Sequence, residues 1–171
     1  MRYLLVLLFP ICSFAQDYSE KTVSTYDSLG VPWKFLKKLG EDPLIERDNS
    51  EVRLLYYTAY EGFKYYRLET DTEDMWLRTM ESPTERFSRA TLKRQQVKAT
   101  KDLVNSITDL VDKEFFHLPP STRVKGQGGY FIYIEAYSKN KYHFSKRWMP
   151  EDQDDGWFFI ELINSRSSRK F

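Results

Sequence analysis

The hydrophobic pattern changes period along this chain, and that change limits the class of fold it can reach. Val52, Leu54, Tyr56, Thr58 and Tyr60 alternate with Arg53, Leu55, Tyr57 and Ala59, which is the period of a strand. From Lys101 to about His117 the apolar residues Leu103, Val104, Ile107, Leu110, Val111, Phe115 and Leu118 recur at three and four instead. That is the period of a helix with one buried face. Glu61-Gly62 turns the first strand into a second, Phe63 to Glu69, making a hairpin. Met75 to Glu81 follows the acidic turn Asp71-Thr72-Glu73-Asp74 as a third strand. Arg86 to Lys98 is read as a fourth, although its weak period also fits a helix. Thr100 can cap the long helix and Pro119-Pro120 can stop it. A second hairpin joins Tyr130–Tyr137 to Lys141–Trp148, and Asp154 or Asp155 can cap a last helix near Trp157. The expectation is an α+β domain. An antiparallel sheet of about five to six strands carries one long amphipathic helix and a C-terminal helix packed on it.

The beginning of the chain reads as an address. Arg2 precedes an apolar run from Leu4 to Ile11, and Ser13-Phe14-Ala15 gives the small-x-small pattern that a signal peptidase cuts. The run is too short for the roughly 20 apolar residues of a membrane span. Residues 1–15 are therefore expected to be a cleaved signal peptide, with the protein periplasmic or secreted. Residues 16–50 read as a polar leader with one short helix, Val31 to Leu39, started by Pro32 and ended by Gly40. Residues 51–171 form the single α+β domain. No second long apolar stretch occurs, so the chain is expected not to span a membrane.

Cysteine and charge remove several function classes. The lone cysteine, Cys12, lies inside the signal peptide. A chain beginning at Gln16 has no thiol nucleophile, no CxxC pair and no disulfide, and must be held by its core. Aromatic residues make up 16% of the sequence, far from the aromatic-poor composition of disordered chains. The 26 basic residues, one of them Arg2, face 25 acidic ones, so the chain from Gln16 is formally neutral. A nucleic-acid partner is not expected, since such domains carry a basic excess.

Chemistry is sought in the second hairpin. With Ser138-Lys139-Asn140 as a three-residue loop, Tyr137 pairs with Lys141 and Asn140 takes the left-handed position. Tyr130, Ile132, Ile134 and Ala136 then share a face with Tyr142, Phe144 and Trp148. The opposite face gathers Tyr133, Glu135, His143 and Arg147, with Glu135 directly across from His143. These four are the candidate binding residues. A carboxylate beside an imidazole can also serve as acid/base machinery; as a cross-strand polar pair it contributes only about 0.2 to 1 kcal/mol. No catalytic residue is assigned.

Other signals point away from familiar centres. His117 suits the C-terminal end of the long helix. HExxH and GxSxG are absent, and neither Asp71–Asp74 nor Glu151–Asp155 has the spacing of a calcium loop. Gly126 to Gly129 precedes a strand and not a helix, unlike a phosphate cradle. No metal and no cofactor is expected. The basic segment Arg86, Arg89, Lys93, Arg94, Lys98 and Lys101 suits a solvated strand protected against edge-to-edge association.

Phe115-Phe116-His117-Leu118-Pro119, Ile134-Glu135, Tyr142-His143 and Arg147-Trp148-Met149-Pro150 occur in an order that resembles a group of small exported bacterial proteins of unknown function. In that group a helix ending in FW-x-LP precedes a hairpin W-x-x-E … YH … RWSP. Here Phe116 stands for the first tryptophan, Phe131 or Ile132 for the second, and Met149 for the serine. The resemblance covers about residues 100–150 and implies prominence for Glu135, His143 and Arg147, with no activity attached. The functional expectation is a non-catalytic binding or inhibitor module whose partner is a protein or an envelope ligand. A structural or assembly subunit, or a small hydrolase using Glu135 and His143, are the alternatives.

Overall fold

The structure, a computed structural model, describes residues 26, 28–47, 49–58, 62–69, 75–82, 92–120 and 129–148. The expected signal peptide, the first ten residues of the leader, the acidic turns and the helix expected near Trp157 lie outside the described residues.

Six strands form one antiparallel sheet: β1 (Glu51–Thr58), β2 (Gly62–Glu69), β3 (Trp76–Ser82), β4 (Lys93–Lys98), β5 (Tyr130–Ser138) and β6 (Lys141–Trp148). Their spatial order is β4-β3-β2-β1-β5-β6, so β1 lies at the centre between β2 and β5. Helix α1 (Trp33–Leu39) precedes the sheet, and helix α2 (Lys101–Lys113) joins β4 to β5. The architecture is α+β, and Lys93–Lys98 resolves the ambiguous fourth segment as an edge strand.

The alternation of β1 sends its residues into two cores. Val52 and Leu54 face α2 and pack with Leu68, Leu77, Ile132, Ile134, Leu103, Ile107, Val111 and Phe115. Leu55 faces the other way and packs with Tyr65, Phe63, Phe144 and the α1 residues Trp33, Leu36 and Leu39. Each helix therefore closes one face of the sheet. Helix α1 ends at Gly40, whose φ of 86° is left-handed and whose amide donates to Lys37. Thr100 caps α2, its hydroxyl accepting from the Leu103 amide at 3.2 Å. A short 3-10 turn, Phe115–His117, finishes that connection before the two prolines.

The second hairpin corrects the expected register. Its turn has two residues, with Ser138 opposite Lys141, and both Lys139 and Asn140 have positive φ (50° and 60°). That is the conformation of a type I′ turn, whose twist matches the strands it joins. Shifting the pairing by one residue sends each side chain of β6 to the face opposite the expected one. Glu135 is opposite Phe144, while His143 is opposite Ala136.

Candidate functional site

The expected face of Tyr133, Glu135, His143 and Arg147 is divided by that register. Tyr133 and Glu135 point to the α1 side, together with Tyr142, Phe144 and Lys146. His143 and Arg147 point to the α2 side, together with Ser145. Glu135 and His143 do not meet.

On the α2 side, alternate residues of β6 latch the chain that leaves the helix. His143 Nε2 donates to the Leu118 carbonyl at 2.9 Å, and the Arg147 Nη1 donates to the Pro119 carbonyl at 2.9 Å. The Lys146 amide donates to the Pro120 carbonyl at 2.8 Å, so this prolyl segment occupies part of the outer edge of β6. Proline lacks an N–H, and the segment takes part here through its carbonyls as acceptor. The His143 ring also meets Phe115 edge-on, with centroids 4.9 Å apart. Burial, with the Arg147 charge adding to it, lowers the imidazole pKa, against the Leu118 bond.

On the α1 side a cluster of charges lies inside the protein. Glu41, Glu51, Arg53, Arg67 and Glu135 are all buried. Arg78, Arg67, Arg53 and Glu135 stand in one row across β3, β2, β1 and β5. Like charges directly opposite one another repel, so the row depends on the carboxylates around it. Arg53 donates through Nε to Glu51 and through Nη1 to the Asp42 carbonyl at 2.7 Å. Arg67 donates to Glu41 at 3.1 Å and contacts Glu69 at 2.7 Å. Its Nε lies 2.9 Å from Glu51 Oε1 as an ion-pair contact without hydrogen-bond alignment.

Three buried carboxylates face two buried guanidiniums, and tyrosines supply further donors. Tyr26 and Tyr142 both donate to Glu135 Oε1, the second at 3.0 Å, and their rings stack 5.9 Å apart. Tyr26 also accepts from the Leu44 amide at 2.5 Å, tying the segment before the sheet to its centre. Burial pushes the Glu135 carboxyl above the usual carboxylate range, opposed by Arg53 and the two hydroxyls. Burial and the Glu135 charge likewise raise Tyr26 and Tyr142. The cluster balances most of its buried charges by ion pairs and hydrogen bonds among its own residues, so its first consequence is to hold α1 on the sheet.

Comparison with protein-family models and with curated proteins finds no match. The residues must speak for themselves.

An open cleft of about 510 Å³ lies where the end of α2 meets the β5–β6 turn. Phe116, His117, Lys141, Tyr142 and His143 line it, with the Asp112–Lys139 ion pair (2.5 Å) on its rim. Tyr142 belongs to both regions: it is among the residues that line the cleft, and its hydroxyl binds the buried Glu135. Of the expected site residues, His143 reaches this cleft; Tyr133 instead stacks on Phe144 at 6.2 Å and lies beneath the Lys146 ammonium. Sequence reading passed over Arg53 and Arg67. Their signal was an arginine set between apolar residues, Val52-Arg53-Leu54 and Tyr66-Arg67-Leu68, on neighbouring strands. Among the described residues, no group of three His, Asp or Glu side chains is arranged to hold a metal. Among them, too, no helix is long and apolar enough to cross a membrane.

Proposed function

We propose that this chain is an exported, non-catalytic binding or inhibitor module of the bacterial envelope, and that its contact surface is the cleft beside the Lys139-Asn140 turn. One observation carries the reading. The cleft is large enough for a side chain or a small ligand, and its wall combines Phe116 and Tyr142 with two imidazoles and the exposed Lys141. Aromatic and cationic side chains in a concave, preformed site are the usual anchors of recognition. The hydrolase alternative has lost its acid–base pair, because Glu135 and His143 stand on opposite faces of the hairpin.

Export rests on Arg2, the Leu4–Ile11 run and Ser13-Phe14-Ala15, and on the resemblance to small exported proteins. The motif residues of that resemblance have physical work within the fold: His143 and Arg147 fasten the Leu118-Pro119 carbonyls, and Tyr142 binds Glu135.

The test is photo-crosslinking in cells, with the reactive residue at position 116 or, as a control, at Lys34 on the exposed side of α1. The expected result is one discrete adduct from the cleft position and none from the control. Equal labelling, or no adduct, overturns the reading. N-terminal sequencing of the chain recovered outside the cytoplasm should begin at Gln16.

A further inference from the structure

Beneath α1 is a second, much smaller cavity, separate from the cleft. Val31, Pro32 and Leu36 roof it, Leu55 and Phe144 form apolar wall, and Arg53, Tyr65 and Glu135 reach it from three adjacent strands. About 10 Å³ is open to the centre of a water-sized particle, close to the roughly 10 to 15 Å³ that one buried water needs.

Three polar atoms set the chemistry of this space. Arg53 Nη2, the Tyr65 hydroxyl and Glu135 Oε2 are buried and, among the described residues, have no hydrogen-bond partner. All three residues line the same cavity. The direct contacts stop short: Arg53 Nη1 lies 3.6 Å from Glu135 Oε2, and Arg53 Nη2 lies 3.7 Å from Glu41 Oε2. Ion-pair separations just beyond hydrogen-bond reach are where a bridging molecule belongs. Leaving such groups unpaired in the interior is costly, most of all for a charge.

We infer that Arg53, Tyr65 and Glu135 form a binding site for one internal water molecule, held between the charge cluster and helix α1. The donor and acceptor sets fit: Arg53 Nη2 and the Tyr65 hydroxyl donate to the water oxygen, and a water hydrogen reaches Glu135 Oε2. Three hydrogen bonds are the usual complement of a buried water. Other occupants fail on charge or size. A cation would meet the Arg53 guanidinium, an anion would meet a cluster in which carboxylates already outnumber guanidiniums, and a polyatomic solute exceeds the space. With α1 as its roof, the water exchanges when that helix lifts.

The first test is a crystal structure of the protein at a resolution that shows ordered solvent. A single peak within hydrogen-bond distance of Arg53, Tyr65 and Glu135 is expected. Direct closure of these side chains onto one another, or density for a larger group, overturns the inference. In solution, oxygen-17 relaxation dispersion should report one long-lived water more in the protein than in its Tyr65→Phe variant. Equal amplitudes in the two would also overturn it. Should the variant not fold, the crystal structure of the unaltered protein decides alone. The site shares no residue with the cleft lining, so these results and the crosslinking results stand or fall separately.

Discussion

Arg53 and Glu135 face each other across β1 and β5, the guanidinium 2% and the carboxylate 4% exposed, with Nη1 and Oε2 3.6 Å apart. Arg53 is the cation nearest the Glu135 carboxylate among the ion pairs of the cluster. Removing Arg53 would leave Glu135 and Glu51 without their nearest cation in a medium that hydrates them poorly. Breaking a buried pair by deleting one member costs about 3 to 5 kcal/mol. Arg53→Ala should therefore lower the urea midpoint by that equivalent, whereas Lys34→Ala, on exposed α1 surface, should stay within about 0.5 kcal/mol of the unaltered protein. Similar effects for the two would show that the cluster contributes no more than surface charge does.

Tyr26 joins two distant parts of the chain through one oxygen, accepting from Leu44 and donating to Glu135. Tyr26→Phe keeps the ring against Trp33 and Tyr142 but strips both partners of that oxygen. Glu135 retains the Tyr142 bond, so the loss falls mainly on the Leu44 amide. An unsatisfied buried donor costs about 1 to 3 kcal/mol. Hydrogen exchange should show faster exchange at Leu44 in the variant, with the core amides of β1 changed only by the global loss of stability. An unchanged Leu44 rate would remove the proposed tie.

The elements whose signals are local could be read directly. Alternation in β1, Thr100 before α2 and Gly40 after α1 each carry their own conformational reason, and each stands where that reason puts it. Register in the second hairpin was not local. Pairing apolar with apolar would turn His143, Ser145 and Arg147 toward the wetter face. In the fold they lie on the α2 side because the Leu118 and Pro119 carbonyls, some 25 residues earlier, accept their hydrogen bonds. A distant acceptor leaves no mark on the alternation of β6. The buried cluster was hidden for a related reason: Glu41, before the sheet, and Glu135, late in it, satisfy arginines that look solvent-facing in their own strands.

The turn that sets this register carries its own prediction. Asn140 sits at φ 60°, where an asparagine is tolerated, a glycine is at ease and a β-branched residue is strained. Asn140→Val should cost about 1 to 2 kcal/mol from that conformation alone. Asn140→Gly should be neutral or slightly stabilising, because the bond it loses, Tyr137 hydroxyl to Asn140 Oδ1 at 3.3 Å, is exposed. Thermal melting of the two variants tests the order. A valine variant as stable as the glycine variant would mean that the turn has relaxed to another type.

His143 should make stability depend on pH in a direction that its latch role fixes. Burial keeps its folded pKa below the ordinary 6.5, so the native state prefers the neutral ring. As pH falls below about 6.5 the unfolded chain takes up this proton first. Its contribution to stability is thus full above that value and is lost as pH drops through the lowered folded pKa. Glu135, held above the carboxylate range, acts with the opposite sign, gaining stability as pH falls. His143→Gln keeps an N–H able to reach the Leu118 carbonyl but removes the titration. Urea unfolding at pH 7.5 and at pH 5.5 should show a larger acid loss in the unaltered protein than in the variant, and since Glu135 is common to both, the difference isolates the imidazole. Equal losses would mean that the His143 ring does not change charge across the latch.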